Sequence, residues 1–386
     1  MSPLSGAKLL QHVQRFAGDI GPRPAGHPAE AQARRQLEAE LRRIGLKQIE
    51  QLSFPTADTW GYGTITPILL ALIGNIVPGR DRLFRTLFSL VAVHQFWLTI
   101  TARIGQQFLY RYYPQRAGGT LIARIPPKHK VKKKVVLIGH TDTNKHRLTF
   151  SPELKKSMRL ASTSLLVTMG VNAVASFFDL TWLRRLTTAY LGFGAGTMLI
   201  DELGPYVEGA NDNGSAMACV LGLGEQALAN PLENTEVWLA FTGSEEVSHD
   251  GLNVLLDRYG HELADAYFID FEMVGQGSIH YVQNHSGLIY FSQYRPDDDS
   301  LRLAQTVAEQ RPDLQVSGRD VTIVEEVATL RRRSFKGLCL VGLAEDGFLA
   351  NWHQQTDTVE NIDPASLERA AKFAWAMIEQ LDRQGE

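Results

Sequence analysis

The stretch "KKVVLIGHTDT" (residues 133–143) decides the fold. Its centre, Val135–Ile138, is an unbroken aliphatic run, the pattern of a strand buried on both faces rather than one with a wet side. That points to a parallel sheet covered by helices. Working outward, "KQIEQLSF" (47–54) and "GTLIARI" (119–125) read as strands before it. "TEVWLAFTG" (235–243), "AYFIDFEMVG" (266–275) and "GLCLVGL" (337–343) read as strands after it. Helical periodicity marks residues 5–17 and 28–45, separated by the loop "GPRPAGHP", and then 214–229, 298–310 and 364–383. Strands and helices in alternation predict an α/β fold with a mixed, mostly parallel central sheet flanked by helices, one domain over residues 1–386.

Composition narrows the function classes. The 386 residues carry 39 Lys and Arg against 42 Asp and Glu, a formal charge of -3, so nucleic acid is not an expected partner. The two cysteines, Cys219 and Cys339, lack metal-type or redox spacing and read as buried reduced thiols. With no basic n-region and apolar core at the start, the sequence carries the expectation of a cytoplasmic protein. Attachment to a membrane stays open.

That opening comes from two segments that break the α/β alternation, 59–104 and 155–202. No Asp, Glu, Lys or Arg lies between Asp58 and Arg80, Arg85 and Arg103, Arg159 and Asp179, or Arg185 and Asp201. Each segment reads as an inserted apolar helical hairpin. The runs before Arg80 and Asp179 reach the roughly 17–25 residues that a spanning helix needs. Asn75, Pro78, His94, Gln95 and Asn172 interrupt the runs, and arginines crowd the tips (Arg80, Arg82, Arg85, Arg184, Arg185). The hairpins therefore either contact a membrane or pack on each other or across a homo-oligomer interface.

Five sites carry residues able to do chemistry, each at a strand end or in the loop after it. The first strand run ends in His140, with Asp142 two residues on; ligands gather outside the carboxyl ends of parallel strands, and a metal-bound imidazole commonly donates its other N–H to a carboxylate. Asp212 lies in "GANDNGSA" before a helix, where an ordinary N-cap is the rival reading. Glu245 and Glu246 are adjacent acids after a strand; solvated acids at a helix start are the rival there. "IDFEMVG" (269–275) places Asp270 and Glu272 on one strand face, and His353 opens "HQQTDTVENID" (353–363). Two imidazoles and several carboxylates in this order suit a pair of divalent metals with one bridging carboxylate. HExxH, GxSxG and P-loop patterns do not occur, and His146, His249, His280 and His285 read as structural or surface residues.

In "GHTD", "GANDNGSA", "SEE", "EMVG" and "HQQTDTVENID", with "GPRPAG" near the start and "LRRRSFKGLCLVGL" before the last motif, the chain resembles the co-catalytic di-zinc aminopeptidases. That group includes bacterial leucyl aminopeptidases and, more distantly, glutamate carboxypeptidase II and glutaminyl cyclase. The resemblance implies a zinc exopeptidase-like three-layer sandwich and two Zn(2+). It also implies metal ligands His140, Asp212 (bridging), Glu246, Glu272 and His353, a general base Glu245, and Asp142 behind His140. Asp270 then falls deeper along its strand than Glu272. The implied activity is aminopeptidase action on a peptide substrate. A carboxypeptidase or dipeptidase, a single-zinc glutaminyl cyclase and an inactive membrane-attached homologue are the alternatives. The sequence departs from the family pattern in Glu272, where Asp is usual, in Ser244, where Gly is usual, and in the long stretch between Asp142 and Asp212.

Overall fold

A computed structural model describes residues 2–76 and 81–384; Pro78 and Arg80, two of the residues weighed in the first apolar segment, lie outside the described residues. Among the described residues nine strands form one sheet: β1 (Ile49–Thr56), β2 (Arg116–Ile125), β3 (Lys133–His140), β4 (Thr235–Thr242), β5 (Tyr267–Glu272), β6 (Ser278–Ser286), β7 (Gln293–Tyr294), β8 (Ser317–Thr322) and β9 (Lys336–Leu343). Their order is β1-β2-β4-β3-β5-β9-β6-β7, with β8 beside β6. The four central strands, β4, β3, β5 and β9, run parallel, and β8 runs parallel to β6. The remaining pairings, β1 with β2, β2 with β4, and β6 with β9 and β7, are antiparallel. The sheet is thus parallel where it is buried on both faces and antiparallel towards its margins. Strands β6, β7 and β8 have no counterpart in the sequence reading. "SIHYVQNHS" and "SGRDVT" break their apolar pattern with His, Gln, Asn and charged residues, because these strands lie away from the centre.

Among the described residues twelve α-helices accompany the sheet: α1 (Gly6–Val13), α2 (Pro28–Arg43), α3 (Gly61–Ile76), α4 (Arg82–Ile100), α5 (Met158–Phe177), α6 (Thr181–Glu202), α7 (Ser215–Ala229), α8 (Glu245–Ser248), α9 (Asp250–Tyr259), α10 (Asp298–Gln310), α11 (Glu326–Arg332) and α12 (Pro364–Arg383). One face of the sheet meets α1, α2, α7, α10 and α12 in a core centred on Leu137, Val220, Leu239 and Phe373. The opposite face meets α9 and α11 around Val136, Trp238, Leu255 and Val327. Helix α12 shows why such a layer forms: Leu367, Ala370, Ala371, Ala374, Met377, Ile378 and Leu381 recur at helical spacing on its buried side. Pro364 and the Asp363 carboxylate, which accepts from the Ala365 N–H at 3.0 Å, fix its start.

Helices α3 to α6 form a separate four-helix bundle. Helix α3 packs on α4 and α6, and α5 packs on α4 and α6, around Ile68, Ala92, Phe96, Leu165 and Met169. Its base is fastened to the sheet-bearing body. Glu202, at the end of α6, accepts from Thr59 Oγ1 (3.0 Å) and pairs with Lys145 (3.2 Å) and Arg147. Helices α4 and α5 are long and apolar enough to cross a membrane by length and composition.

Candidate metal centre

The parallel strands aim their carboxyl ends at one point. His140 closes β3, Glu272 closes β5, and the residues after β4 carry Glu245 and Glu246 into α8. The loop before α7 brings Asp212, and the segment after β9 brings His353. The imidazole Nε2 of His140 lies 3.2 Å from Asp212 Oδ1, 3.7 Å from Glu272 Oε2 and 3.8 Å from Glu245 Oε2. His353 Nε2 lies 3.4 Å from Asp212 Oδ2 and 3.2 Å from Glu246 Oε2. Asp212 therefore belongs to two triads: one with His140 and Glu272, the other with Glu246 and His353. Each triad presents its ligand atoms within 4.8 Å of one another.

These residues fit metal ions on chemical grounds. His140 Nε2 and Asp212 Oδ1 are buried and face each other, yet neither completes a hydrogen bond, and Glu246 Oε1 is likewise unsatisfied. A buried lone pair without a donor is costly unless a cation meets it. Five carboxylates, Asp142, Asp212, Glu245, Glu246 and Glu272, surround two imidazoles, so the protein alone leaves an excess of negative charge. Burial pushes the Glu272 carboxyl up to about 7 and those of Glu245 and Glu246 upward as well. For His353 burial opposes the charge, but Glu246 and Asp212 outweigh it and hold the imidazole at about 9. The same contest raises His140 well above its ordinary value, with Asp142 the strongest supporter. Asp212 is held below the usual carboxylate range because the two imidazoles overcome its burial.

A ring of supporting contacts fixes the acids. The Asp142 carboxylate accepts the N–H groups of Glu245 and Glu246, both at 3.1 Å, and so pins the start of α8. Its backbone carbonyl meets His140 Nδ1 at 3.1 Å, whereas its carboxylate is 3.6 Å away. Asp357 accepts from the N–H groups of Asn211 (2.6 Å) and Asp212 (3.1 Å). Asn144 donates to Glu246 Oε2 at 2.7 Å, and Asn213 donates to Glu272 Oε2 at 3.0 Å. Arg23, fully buried, holds the carbonyls of Thr141 and Gly209 beside the site.

Several of these partners escaped the sequence reading. Asn144 and Asn213 gave no signal apart from sitting inside quoted or adjacent loops. His249, read as structural or surface, is buried with Nε2 3.2 Å from Glu245 Oε1 and Nδ1 3.0 Å from Thr329 Oγ1. Its spacing of four from Glu245 is the clue that was available. Asp270 lies behind Glu272 against Glu325 and Cys339. Both cysteines are free and buried.

Backbone strain gathers here too. Ser244, His249, Met273 and His353, none of them glycine, all have φ between 51° and 60°. At Ser244 this explains why glycine would be the easier residue; the serine hydroxyl compensates by meeting Thr56 Oγ1 at 2.5 Å.

The site forms the floor of a cavity of about 1150 Å³, open mouth included. Its walls are apolar and come largely from the base of the bundle: Trp60, Phe96, Ile100, Met158, Leu165 and Met198. No Lys or Arg lines it among the described residues.

Residues 120–378 match the model of peptidase family M28. No match was found among curated proteins. Solved structures of similar fold include the zinc aminopeptidase BSAP from Bacillus subtilis, 12% identical with a TM-score of 0.60 over 99% of this chain and 96% of that one. A leucine aminopeptidase precursor from Bacteroides thetaiotaomicron gives 14% and 0.58 over 97% of each chain. A glutaminyl cyclase from an Acidobacteriales bacterium gives 14% and 0.58 over 99% and 96%. At these identities the likeness is one of fold.

Proposed function

This chain belongs to peptidase family M28 and is a zinc metallopeptidase by that membership, and from this premise we propose that it is an aminopeptidase working with two zinc ions. His140, Asp212 and Glu272 would hold one ion, and Asp212, Glu246 and His353 the other, with Asp212 shared. Bound zinc would supply Lewis-acid polarisation of the scissile carbonyl and would bring the pKa of a water towards neutrality. Everything else falls to the chain. Glu245 belongs to neither triad, yet it stands 3.8 Å from His140 at the cradle's rim. Its carboxyl, raised by burial, can take a proton from the attacking water and hand it to the amine that leaves as the C–N bond breaks. His249 positions it: burial lowers this imidazole's pKa to about 3, so it stays neutral, accepts from Thr329 at Nδ1 and presents Nε2–H to Glu245.

The observation that carries the choice of chain end is the charge of the cavity. Five acids, Asp212, Glu245, Glu246, Glu272 and Glu325, line it, and among the described residues no lining Lys or Arg awaits a terminal carboxylate. A free α-amine suits that field; a C-terminus does not. The apolar walls favour a first residue with a large hydrophobic side chain.

The test is Glu245→Gln in zinc-loaded enzyme. We expect kcat to fall about 10²–10⁴-fold with zinc content unchanged. A variant that hydrolyses at the parent rate would sink the assignment of the base. Equal turnover of free and N-acetylated peptides would sink the aminopeptidase reading while leaving the metal chemistry standing.

A further inference from the structure

Helices α3 to α6 are apolar on the outside of their bundle as well as at its core. Beside the apolar core of Ile68, Ala92, Phe96, Leu165 and Met169 a polar network joins the helices: Asn172 Oδ1 accepts from Asn75 (2.8 Å) and Thr187 (2.7 Å), and its Nδ2 donates to Ser89 (2.8 Å). Their outer faces are apolar. Leu83, Leu87 and Leu90 are exposed along one side of α4, and Leu186, Phe193 and Ile200 along one side of α6. A helix that is apolar all round belongs either in a core or in a bilayer. These are not in a core, since only about a third of the most apolar window of α4, and of the segment containing α5, is buried.

What would cover them is indicated by how the apolar zone ends. Helices α4, α5 and α6 have 19, 20 and 22 residues, roughly 28–33 Å at about 1.5 Å per residue, which matches a hydrocarbon core of about 30 Å. No Asp, Glu, Lys or Arg interrupts the middle of any of the four; exposed His94 lies less than two turns from the body end of α4. Aromatic side chains mark both limits. At the far tip Trp182 and Phe178 are exposed, beside the Arg184–Asp179 pair (2.7 Å). At the near end the turn between β6 and β7 leans on α5, with the Tyr290 N–H on Thr163 Oγ1 (3.2 Å), and presents exposed Tyr290 and Phe291. A span of that length with charges only in its terminal turns and aromatic side chains at each end is the pattern of a membrane-crossing unit. A second copy of the chain would need neither the matched length nor the rings.

We propose that the α3–α6 bundle crosses a lipid bilayer, with the arginine tip on one side and the catalytic body resting on the other, its cavity mouth at the membrane surface. The buried amides and hydroxyls then pair with one another, and the outward apolar side chains meet lipid. Because the cavity is walled by the bundle's base, hydrolysis takes place at the bilayer's edge.

Full-length protein reconstituted in phosphatidylcholine–phosphatidylglycerol vesicles tests this, since both native cysteines are buried. Arg185→Cys at the tip and Lys130→Cys on the body provide two labelling sites, both exposed. In vesicles of one sorted orientation, a membrane-impermeant maleimide should label one position and spare the other until the bilayer is permeabilised. Vesicle flotation should survive 1 M salt and alkaline carbonate. Labelling of both positions from the same side, or a detergent-free dimer that does not float, would overturn the proposal. Peptidase activity, assayed in the same vesicles, is a separate readout, so failure of the membrane reading and failure of the catalytic one are distinguishable.

Discussion

In the catalytic body, acids and imidazoles converge at strand ends inside a shell of apolar side chains; in the bundle, Asn75, Asn172 and Thr187 pair beside an apolar core and leucines face outward. Both regions bury polar atoms, and both leave some without partners, Ser176 Oγ among them in the bundle. The amides of Asn75 and Asn172 complete their bonds with Thr187 and Ser89, which is what a structural network requires. The cradle leaves His140 Nε2, Asp212 Oδ1 and Glu246 Oε1 without partners inside one cluster of ligand-type atoms, which is what a set of metal ligands would require. Orphaned atoms gathered at one point, rather than scattered singly, set the cradle apart from the bundle.

Removing the metal should break that distinction most visibly. Chelation is expected to abolish hydrolysis and to make stability pH-dependent. Glu245, Glu246 and Glu272 have folded-state pKa values raised by burial, so their stability is present below about 4.3, the unfolded value, and is lost as pH climbs through about 7 for Glu272. His353 acts in the same direction, being raised to about 9 and losing its contribution above about 6.5, its ordinary value. Metal-free protein should therefore melt lower at pH 8 than at pH 5, and zinc should erase most of the difference. A melting temperature that ignores both chelator and pH would mean the cradle is not built for cations.

His140 and Glu272 are legible in the sequence because each ends an apolar run that reads as a buried strand, whereas Asp212 and His353 stand in loops. The partners behind the ligands were harder. His249 approaches Glu245 only because α8 is one turn long and the chain reverses at Ser244 and His249, both left-handed. Asn144 reaches Glu246 across 102 positions of sequence. β6 and β8 were hidden for a related reason: near the margin of the sheet, polar residues such as His280 and Asn284 replace the apolar run that reveals a central strand. The apolar segments announced helices but not the polar network between them, which depends on how four of them meet.

Asn172→Leu probes the bundle's side of the comparison. It removes two acceptor contacts and two donor contacts at once, leaving Asn75, Thr187 and Ser89 short of partners. At about 1–3 kcal/mol for an orphaned buried group, shared among partners that can partly re-pair, we expect a net loss of about 2–3 kcal/mol. Adding Asn75→Leu should restore part of it, because an apolar pair leaves fewer orphans than a broken polar one. Chemical denaturation of single and double variants measures the coupling. Additive losses would mean the network is not a unit.

The smallest effect belongs to Ser244→Gly, which tests whether strain near the cradle is functional. Glycine relieves a left-handed backbone worth about 1 kcal/mol or somewhat more, but it deletes the hydroxyl that meets Thr56 at 2.5 Å and Asp250 at 3.4 Å, a loss of about 1 kcal/mol. The terms nearly cancel, so stability should move by less than about 1 kcal/mol. Glu245 and Glu246 remain pinned by Asp142 through their own N–H groups, so kcat should stay within about threefold, under 1 kcal/mol of barrier. A hundredfold fall with unchanged stability would instead show that the serine, and not the Asp142 carboxylate, sets the geometry of the paired acids.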